Sequence, residues 1–236
     1  MLKKLLTFFK DFTGVIRCPG KTLGTVMKEK KWIIMFLLMM VLIFLYSYMA
    51  FPVRMAQVEE QARLTGLVMD QQTSMYFSPS SYSRLMASLG AAFFLALKLA
   101  AGAFFLYLFF GIGGTEGTFS NYFSLVTYAS IIDFILPGVV DFFSFIFKVN
   151  FDFIIRPALF FTHPANGTLN YYIFLRLDVF SIWYTIAIAL GIAVFAGISL
   201  KRTMTVSFLY FLFKTAVLVA FSYILFHLLP KGTVGF

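Results

Sequence analysis

The chain has 236 residues, of which 61% are hydrophobic and 12% charged, whereas about a quarter of the residues of soluble domains are charged. This composition excludes an ordinary soluble domain and predicts one compact membrane-embedded bundle. The net charge of +9 is no sign of a nucleic-acid partner here, because Lys and Arg collect on the cytoplasmic side of membrane proteins. The single cysteine, Cys18, excludes an intrachain disulfide.

Residues 1–17 are predicted to form an amphipathic helix. Leu and Phe recur at steps of three and four on one face, and the basic residues of the other face are Lys3, Lys4 and Lys10. Such a helix lies in the plane of the membrane interface. A signal peptide fits less well, because no continuous apolar core and no small-residue cleavage site are present. Pro19-Gly20 is predicted to end the helix, and residues 1–31 to form a cytoplasmic basic segment.

Five apolar segments are long enough to cross a bilayer as helices. They cover about residues 32–50, 85–110, 118–136, 178–200 and 206–229. Pro52 is expected to end the first span, and Pro137 to stop or kink the third. A polar loop is expected over residues 53–84. The predicted fold is therefore an all-α, five-span transmembrane helix bundle with an N-terminal interfacial helix.

Residues 139–163 fit two patterns. As a helix, Lys148, Asp152 and Arg156 stand at the four-residue spacing at which opposite charges meet. As a strand, aromatic and apolar residues alternate with polar ones. We favour an aromatic interfacial helix, because an unpaired strand cannot lie in hydrocarbon.

Small residues recur at helical spacing in two of the spans. The stripes are Ala92, Ala96 and Ala100 in the second span, and Ala189, Ala193 and Gly197 in the fourth. In lipid, such stripes let another helix approach closely. Further small residues flank Lys98 on the opposite side of the second span, so this span is expected at the centre of the bundle.

Two charged residues, Lys98 and Asp133, lie inside otherwise apolar spans. Such a charge costs about 2.5–3.5 kcal/mol on insertion scales, so it normally faces the protein interior and has a partner. We expect Lys98 and Asp133 to pair, with the lysine stem covering their difference in depth. Lys214 in the fifth span is expected to extend towards the inner surface. The pair would either fix helix register or line a path for a proton, an ion or a lipid headgroup.

No residues are arranged for catalysis. The two histidines, His163 and His227, have no accompanying nucleophile or metal-ligand spacing. We therefore expect no enzymatic activity, no cofactor and no metal.

The start of the fourth span carries Asp178, Phe180 and Trp183 in an Asp-x-Phe-x-x-Trp pattern, within LDVFSIWYTIAIALGIAVFAGISLKRTM. Together with RCPGKTLGTVMKEKKW before the first span and Tyr128-Ala129-Ser130 in the third, this segment resembles the Yip (Ypt/Rab-interacting protein) domain family of polytopic membrane proteins. Family members often have a proline soon after the Tyr-Ala-Ser triplet. Here Asp133 follows, and the proline is Pro137. The resemblance supplies no catalytic residues.

Basic residues predict the orientation. Eight Lys and Arg precede the first span, and Lys201-Arg202 join the fourth and fifth. The positive-inside rule then places the N-terminus in the cytoplasm and the C-terminus outside, as the resemblance also implies. We expect a prokaryotic inner-membrane protein.

The expected function is that of a non-enzymatic scaffold or adaptor that binds membrane lipids, other membrane proteins or a second copy of itself. The alternative is a transporter or channel for an ion, a small solute or a lipid that uses the intramembrane charges. The association of eukaryotic relatives with Rab-type GTPases does not transfer to a prokaryotic member.

Overall fold

The computed structural model describes residues 2–64, 80–147, 155–156, 162 and 168–228. Every regular element in these ranges is a helix. The elements are α1 (Leu2–Arg17), α2 (Pro19–Glu29), α3 (Ile33–Leu64), α4 (Ser81–Ile112), α5 (Phe119–Ser130), a π-helical segment (Ile131–Ile135), α6 (Leu136–Phe147), α7 (Leu169–Arg176), α8 (Val179–Ala196) and α9 (Leu200–Leu228).

Five of the helical stretches are long and apolar enough to cross a membrane. They are Ile33–Pro52, Ser81–Ile112, Phe119–Val140, Val179–Ala196 and Leu200–Ile224. The predicted all-α fold with five spans is therefore confirmed, and the chain is a multi-pass membrane protein. Residues 2–17 are helical, while the placement of α1 at a membrane surface stays a prediction.

The first apolar span ends at Pro52, as expected, but the helix does not break there. Pro52 lies inside α3, which continues to Leu64. A proline removes one hydrogen bond and bends a helix, but the residues after it (MAQVEEQARL) are mostly strong helix formers. The helix therefore resumes beyond the proline, and residues 53–64 are not a loop. Residues 65–79 of the predicted loop lie outside the described part of the chain.

Pro137 does not end the third span, because the helix widens just before it. The N–H of Leu136 donates to the carbonyl of Ile131, five residues back. A wider turn gives the proline ring room near the preceding carbonyls, where it would otherwise clash. The chain then remains helical to Phe147. The predicted helix over 139–163 is thus present to residue 147, and most of its remainder lies outside the described residues.

Contacts divide the chain into two compact units. One comprises Met1–Met35 and Leu99–Ile224, and the other Phe36–Lys98 and Leu225–Phe236. In the first unit the third span is the most enclosed. In its most apolar stretch 56% is buried, against 17–33% for the other four spans. For the second span, which was expected at the centre of the bundle, the buried share is 28%. The second span is divided between the two units at Lys98 and Leu99, so its central position stays a prediction.

The interior of the third span is polar as well as apolar. Ser124, Thr127 and Ser130 are buried, and each hydroxyl donates to the carbonyl four residues earlier at 2.7–2.9 Å. Back-bonding of this kind satisfies a hydroxyl inside its own helix. Asn121 reaches further, since its Nδ2 donates to the carbonyl of Met27 at 2.7 Å. This hydrogen bond ties α5 to the C-terminal end of α2.

Helix α2 is part of the core of the first unit, which the sequence analysis did not anticipate. Leu23, Val26 and Met27 are at most 1% exposed, and α2 packs on α8 and α5. Its lysines lie on the opposite, exposed face. We predicted that residues 1–31 form a cytoplasmic segment and that residues 32–236 form the transmembrane bundle. This division stays a prediction.

Glycines permit the close approach of α2 and α8. A Cβ atom on Gly24 would lie 2.7 Å from Cγ1 of Val194, and one on Gly191 would lie 2.7 Å from Cβ of Leu23. Neither distance is tolerable for a real side chain, so both glycines are required where the helices cross.

The three small residues that were predicted to form a packing stripe on the fourth span have different roles. Ala189 is fully buried and Ala193 half-buried. Gly197 is exposed and caps α8 in a left-handed conformation with φ of 65°. Its role is therefore to end the helix. In the second span Ala92, Ala96 and Ala100 are half-buried, and their role in helix packing stays a prediction.

Candidate functional site: an intramembrane ion pair

The strongest candidate site is centred on Asp133, in the π-helical segment of the third span. Its Oδ2 lies 3.4 Å from Nζ of Lys214 in α9. Its Oδ1 accepts a hydrogen bond from the hydroxyl of Ser181 in α8 at 3.1 Å. The side chain of Asp133 is 9% exposed and that of Lys214 is 20% exposed. Three helices thus meet at one charge pair, which offsets the cost of each charge in an apolar span.

The turn before α8 brings Ser181 to this pair. Asp178 is the N-cap of α8, and its Oδ1 accepts the N–H of Ser181 at 2.8 Å. Its Oδ2 also lies 2.5 Å from the Ser181 hydroxyl. That hydroxyl carries a single proton, so it can donate to Asp133 or to Asp178, but not to both at once. The two carboxylates therefore share one hydroxyl donor.

An aromatic ring covers the lysine. Nζ of Lys214 lies 4.6 Å from the ring centroid of Tyr184, a distance at which the face of the ring attracts a cation. Tyr184 is 3% exposed. It is therefore not one of the interfacial rings that its place near the start of the span indicates. The pair is enclosed by protein on this side.

The pairing of Lys214 corrects the sequence analysis, which expected this side chain to extend towards the inner surface. The fifth span was predicted to begin at residue 206, whereas α9 begins at Leu200. Lys214 lies ten residues (224 − 214) before the end of that span at Ile224, or about 15 Å along a helix. Lys214 therefore lies well inside the span, where it needs a partner.

The other predicted partner, Lys98, is exposed and belongs to the second unit. Its contact with Asp133 stays a prediction. Sequence reasoning missed Ser181 and Tyr184 as members of the site. The available signal of a polar face on α8 was the four-residue spacing between Ser181 and Thr185. Thr185 is buried, and its hydroxyl donates to the carbonyl of Ser181 at 2.9 Å.

The three residues of the predicted family motif lie at the start of α8. Asp178 caps the helix, and Phe180 and Trp183 are half-buried. The Tyr128-Ala129-Ser130 triplet is buried in α5, directly before the π-helical segment. Both motifs thus flank the candidate site.

The predicted membrane-surface lysines are only partly described. Lys10 is exposed, and the side chains of Lys3 and Lys4 lie outside the described residues. Helix α1 forms a salt bridge near its middle, where Oδ2 of Asp11 lies 3.6 Å from Nζ of Lys31. A hydrogen bond with Glu29 and the charge of Asp11 raise the pKa of Lys31 against a smaller opposing effect of burial.

In the described ranges, no group of three or more His, Cys, Asp or Glu side chains could hold a metal ion. Five span-length helices with a charge pair enclosed by three of them define a polytopic helical membrane protein. The family model for the Yip1 domain matches residues 13–224, and the chain belongs to this family. The match covers α2 and all five spans. No curated protein and no solved structure matches the chain.

Proposed function

We propose that this protein is a non-enzymatic scaffold or adaptor that binds lipids and other membrane proteins within the bilayer. The supporting observation is the enclosure of the Asp133–Lys214 pair: Ser181 donates a hydrogen bond to Asp133, and the ring of Tyr184 packs against Nζ of Lys214. A charge that is satisfied internally fixes the register of three helices and leaves their outer faces apolar. Helix α9, for example, exposes Phe208, Leu212 and Phe221, a surface suited to lipid chains or another span.

Recovery of the native protein from its own membrane tests this proposal. The protein would be extracted with surrounding lipid in a polymer disc, and bound proteins and lipids would be identified by mass spectrometry. We expect defined membrane proteins, or lipids enriched over the bulk membrane. A matched five-span protein recovered in parallel is the control. Isolation of the chain alone, with bulk lipid composition, would contradict the proposal.

A second candidate function, transport of a proton or another ion, has its own supporting observation. Asp178, Ser181, Asp133 and Lys214 form a connected polar chain from the start of α8 into the third span. A shared hydroxyl between two carboxylates is an arrangement that can pass a proton. Flux into proteoliposomes that Ser181→Ala abolishes, and Thr185→Ala does not, would favour transport over the scaffold.

A further inference from the structure

One side of α9 is buried and polar from near the start of the helix to the ion pair. Four polar residues follow one another at steps of four, three and four residues, which places them on one face of the helix. They are Thr203, Ser207, Tyr210 and Lys214, the polar stripe of α9. Thr203 and Ser207 are fully buried, and Tyr210 is 3% exposed. The stripe extends over eleven residues (214 − 203), or about 16 Å along the helix.

Two tyrosines connect the polar stripe to the ion pair. Tyr184 and Tyr210 are hydrogen-bonded to each other through their hydroxyls, and the charge of Asp133 acts on both. The ring of Tyr184 also lies against Nζ of Lys214. The hydrogen-bonded groups of the candidate site therefore extend one helical turn along α9 beyond Lys214.

Ser207 is the next hydroxyl along the stripe, and it differs from its neighbours. Its Oγ is buried and has no hydrogen-bond partner among the described residues. By contrast, Thr203 and the buried Ser124 of α5 each donate to a carbonyl of their own helix, at 3.0 and 2.9 Å. A buried hydroxyl without a partner is unfavourable, so its retention indicates a role such as binding a water or an ion. Ser207 lies one turn from Tyr210, where the next step of the hydrogen-bonded chain would be.

We propose that the polar stripe of α9 is one half of a proton path, which leads from the start of α9 to Asp133. A proton that reaches Ser207 binds its oxygen while the hydroxyl releases its own proton towards Tyr210, and the same exchange continues through Tyr184 towards the carboxylate of Asp133. Each hydroxyl is neutral again after the exchange, so protons are conserved. This inference rests on the transport candidate, whose chain through Ser181 would be the other half of the path.

Ser207→Ala separates this role from a structural one. Because the hydroxyl has no described partner to lose, alanine should leave the thermal stability unchanged or raise it, whereas a break in the path should lower proton flux. Tyr210→Phe removes the second hydroxyl and keeps the ring, which packs on Phe109 at a centroid distance of 6.1 Å. Ser124→Ala is the matched control, since that hydroxyl is equally buried but is satisfied within α5.

Proton uptake by the full chain in proteoliposomes would be followed with a pH-sensitive dye in the lumen and driven by a potassium diffusion potential. We expect Ser207→Ala and Tyr210→Phe to lower the uptake to the level of Ser181→Ala, and Ser124→Ala to leave it at the level of the wild type.

Three other outcomes overturn the inference, and they differ in what they leave standing. Uptake that Ser181→Ala abolishes but that persists in Ser207→Ala or Tyr210→Phe overturns the α9 path and leaves the transport candidate intact. Wild-type uptake no higher than that of protein-free vesicles contradicts both. A loss of uptake that Ser124→Ala shares, or that accompanies a fall in the thermal stability of Ser207→Ala, identifies a structural effect and also overturns the path.

Discussion

At the scale of single residues, Asp133 is the charged residue around which the candidate site of the first unit is built. Its carboxylate links the third, fourth and fifth spans through Lys214 and Ser181. Removing one partner of a buried pair leaves the other charge uncompensated, at a cost of about 3–5 kcal/mol. Lys214→Met should cost more than Asp133→Leu, because the carboxylate that it leaves behind is more buried than the ammonium group.

The prediction is a coupled pair. Asp133→Leu and Lys214→Met should each lower the thermal stability in detergent, and the double variant should recover part of the loss. A coupling free energy of about 0.5–3 kcal/mol is expected for contacting residues. Simple addition of the two single effects would rule the pair out. Asp133→Leu combined with Lys98→Met, analysed in the same cycle, tests whether Lys98 is also a partner.

At the scale of elements, the contact between α2 and α8 depends on glycines with no room for a side chain. Gly24→Ala should destabilise the protein by about 1–3 kcal/mol, because the added methyl group would lie 2.7 Å from Cγ1 and 2.9 Å from Cβ of Val194 on the facing helix. Gly90→Ala is the matched control. Gly90 lies within α4 with no atom within 4 Å of its added Cβ, so alanine there should stabilise by up to about 1 kcal/mol. Thermal unfolding of both variants measures the difference, and equal effects would refute the packing argument.

Helix α1 is predicted to bind a membrane surface through its apolar face and its lysines. Each Lys near an anionic leaflet contributes about 1 kcal/mol. A peptide of residues 1–17 should therefore become helical on anionic vesicles and less so on neutral ones, as circular dichroism would show. A variant with Lys3, Lys4 and Lys10 replaced by Gln is the control and should lose the preference. Disorder of the wild-type peptide on anionic vesicles would contradict the prediction.

The spans could be predicted from the sequence because hydrocarbon imposes a minimum apolar length on each one. The intervening elements were harder, because their packing depends on partners distant in sequence. The lysines and glycines of α2 do not indicate a core helix, and its packing on α8 depends on the close approach at Gly24 and Gly191. Pro52 gave the wrong helix end, since a strong helix continues past one lost hydrogen bond. Pro137 does not stop its helix, and the turn before it is widened. Asp133 was identified as a candidate because a charge in lipid is energetically costly. Its partner Lys214 was not identified, because the fifth span was predicted to begin at residue 206 and α9 begins at Leu200.

At the scale of the whole molecule, the five spans of the described ranges predict that the termini lie on opposite sides of the membrane. The family match from residue 13 to residue 224 covers all five spans. The turn that joins α8 to α9 carries Lys201 and Arg202 and lies in the cytoplasm in the predicted orientation.

Cysteine labelling tests this orientation. The exposed Cys18 would first be replaced by Ser, and single cysteines placed at Ser80, before α4, and at Ser199, between α8 and α9. Both positions are exposed, whereas the nearby Thr203 is fully buried and unsuitable. We expect a membrane-impermeant maleimide to label Ser80→Cys in intact cells and Ser199→Cys only after permeabilisation, because Lys201 and Arg202 hold that turn in the cytoplasm. Labelling of Ser199→Cys alone in intact cells would show that the orientation is the reverse of the predicted one.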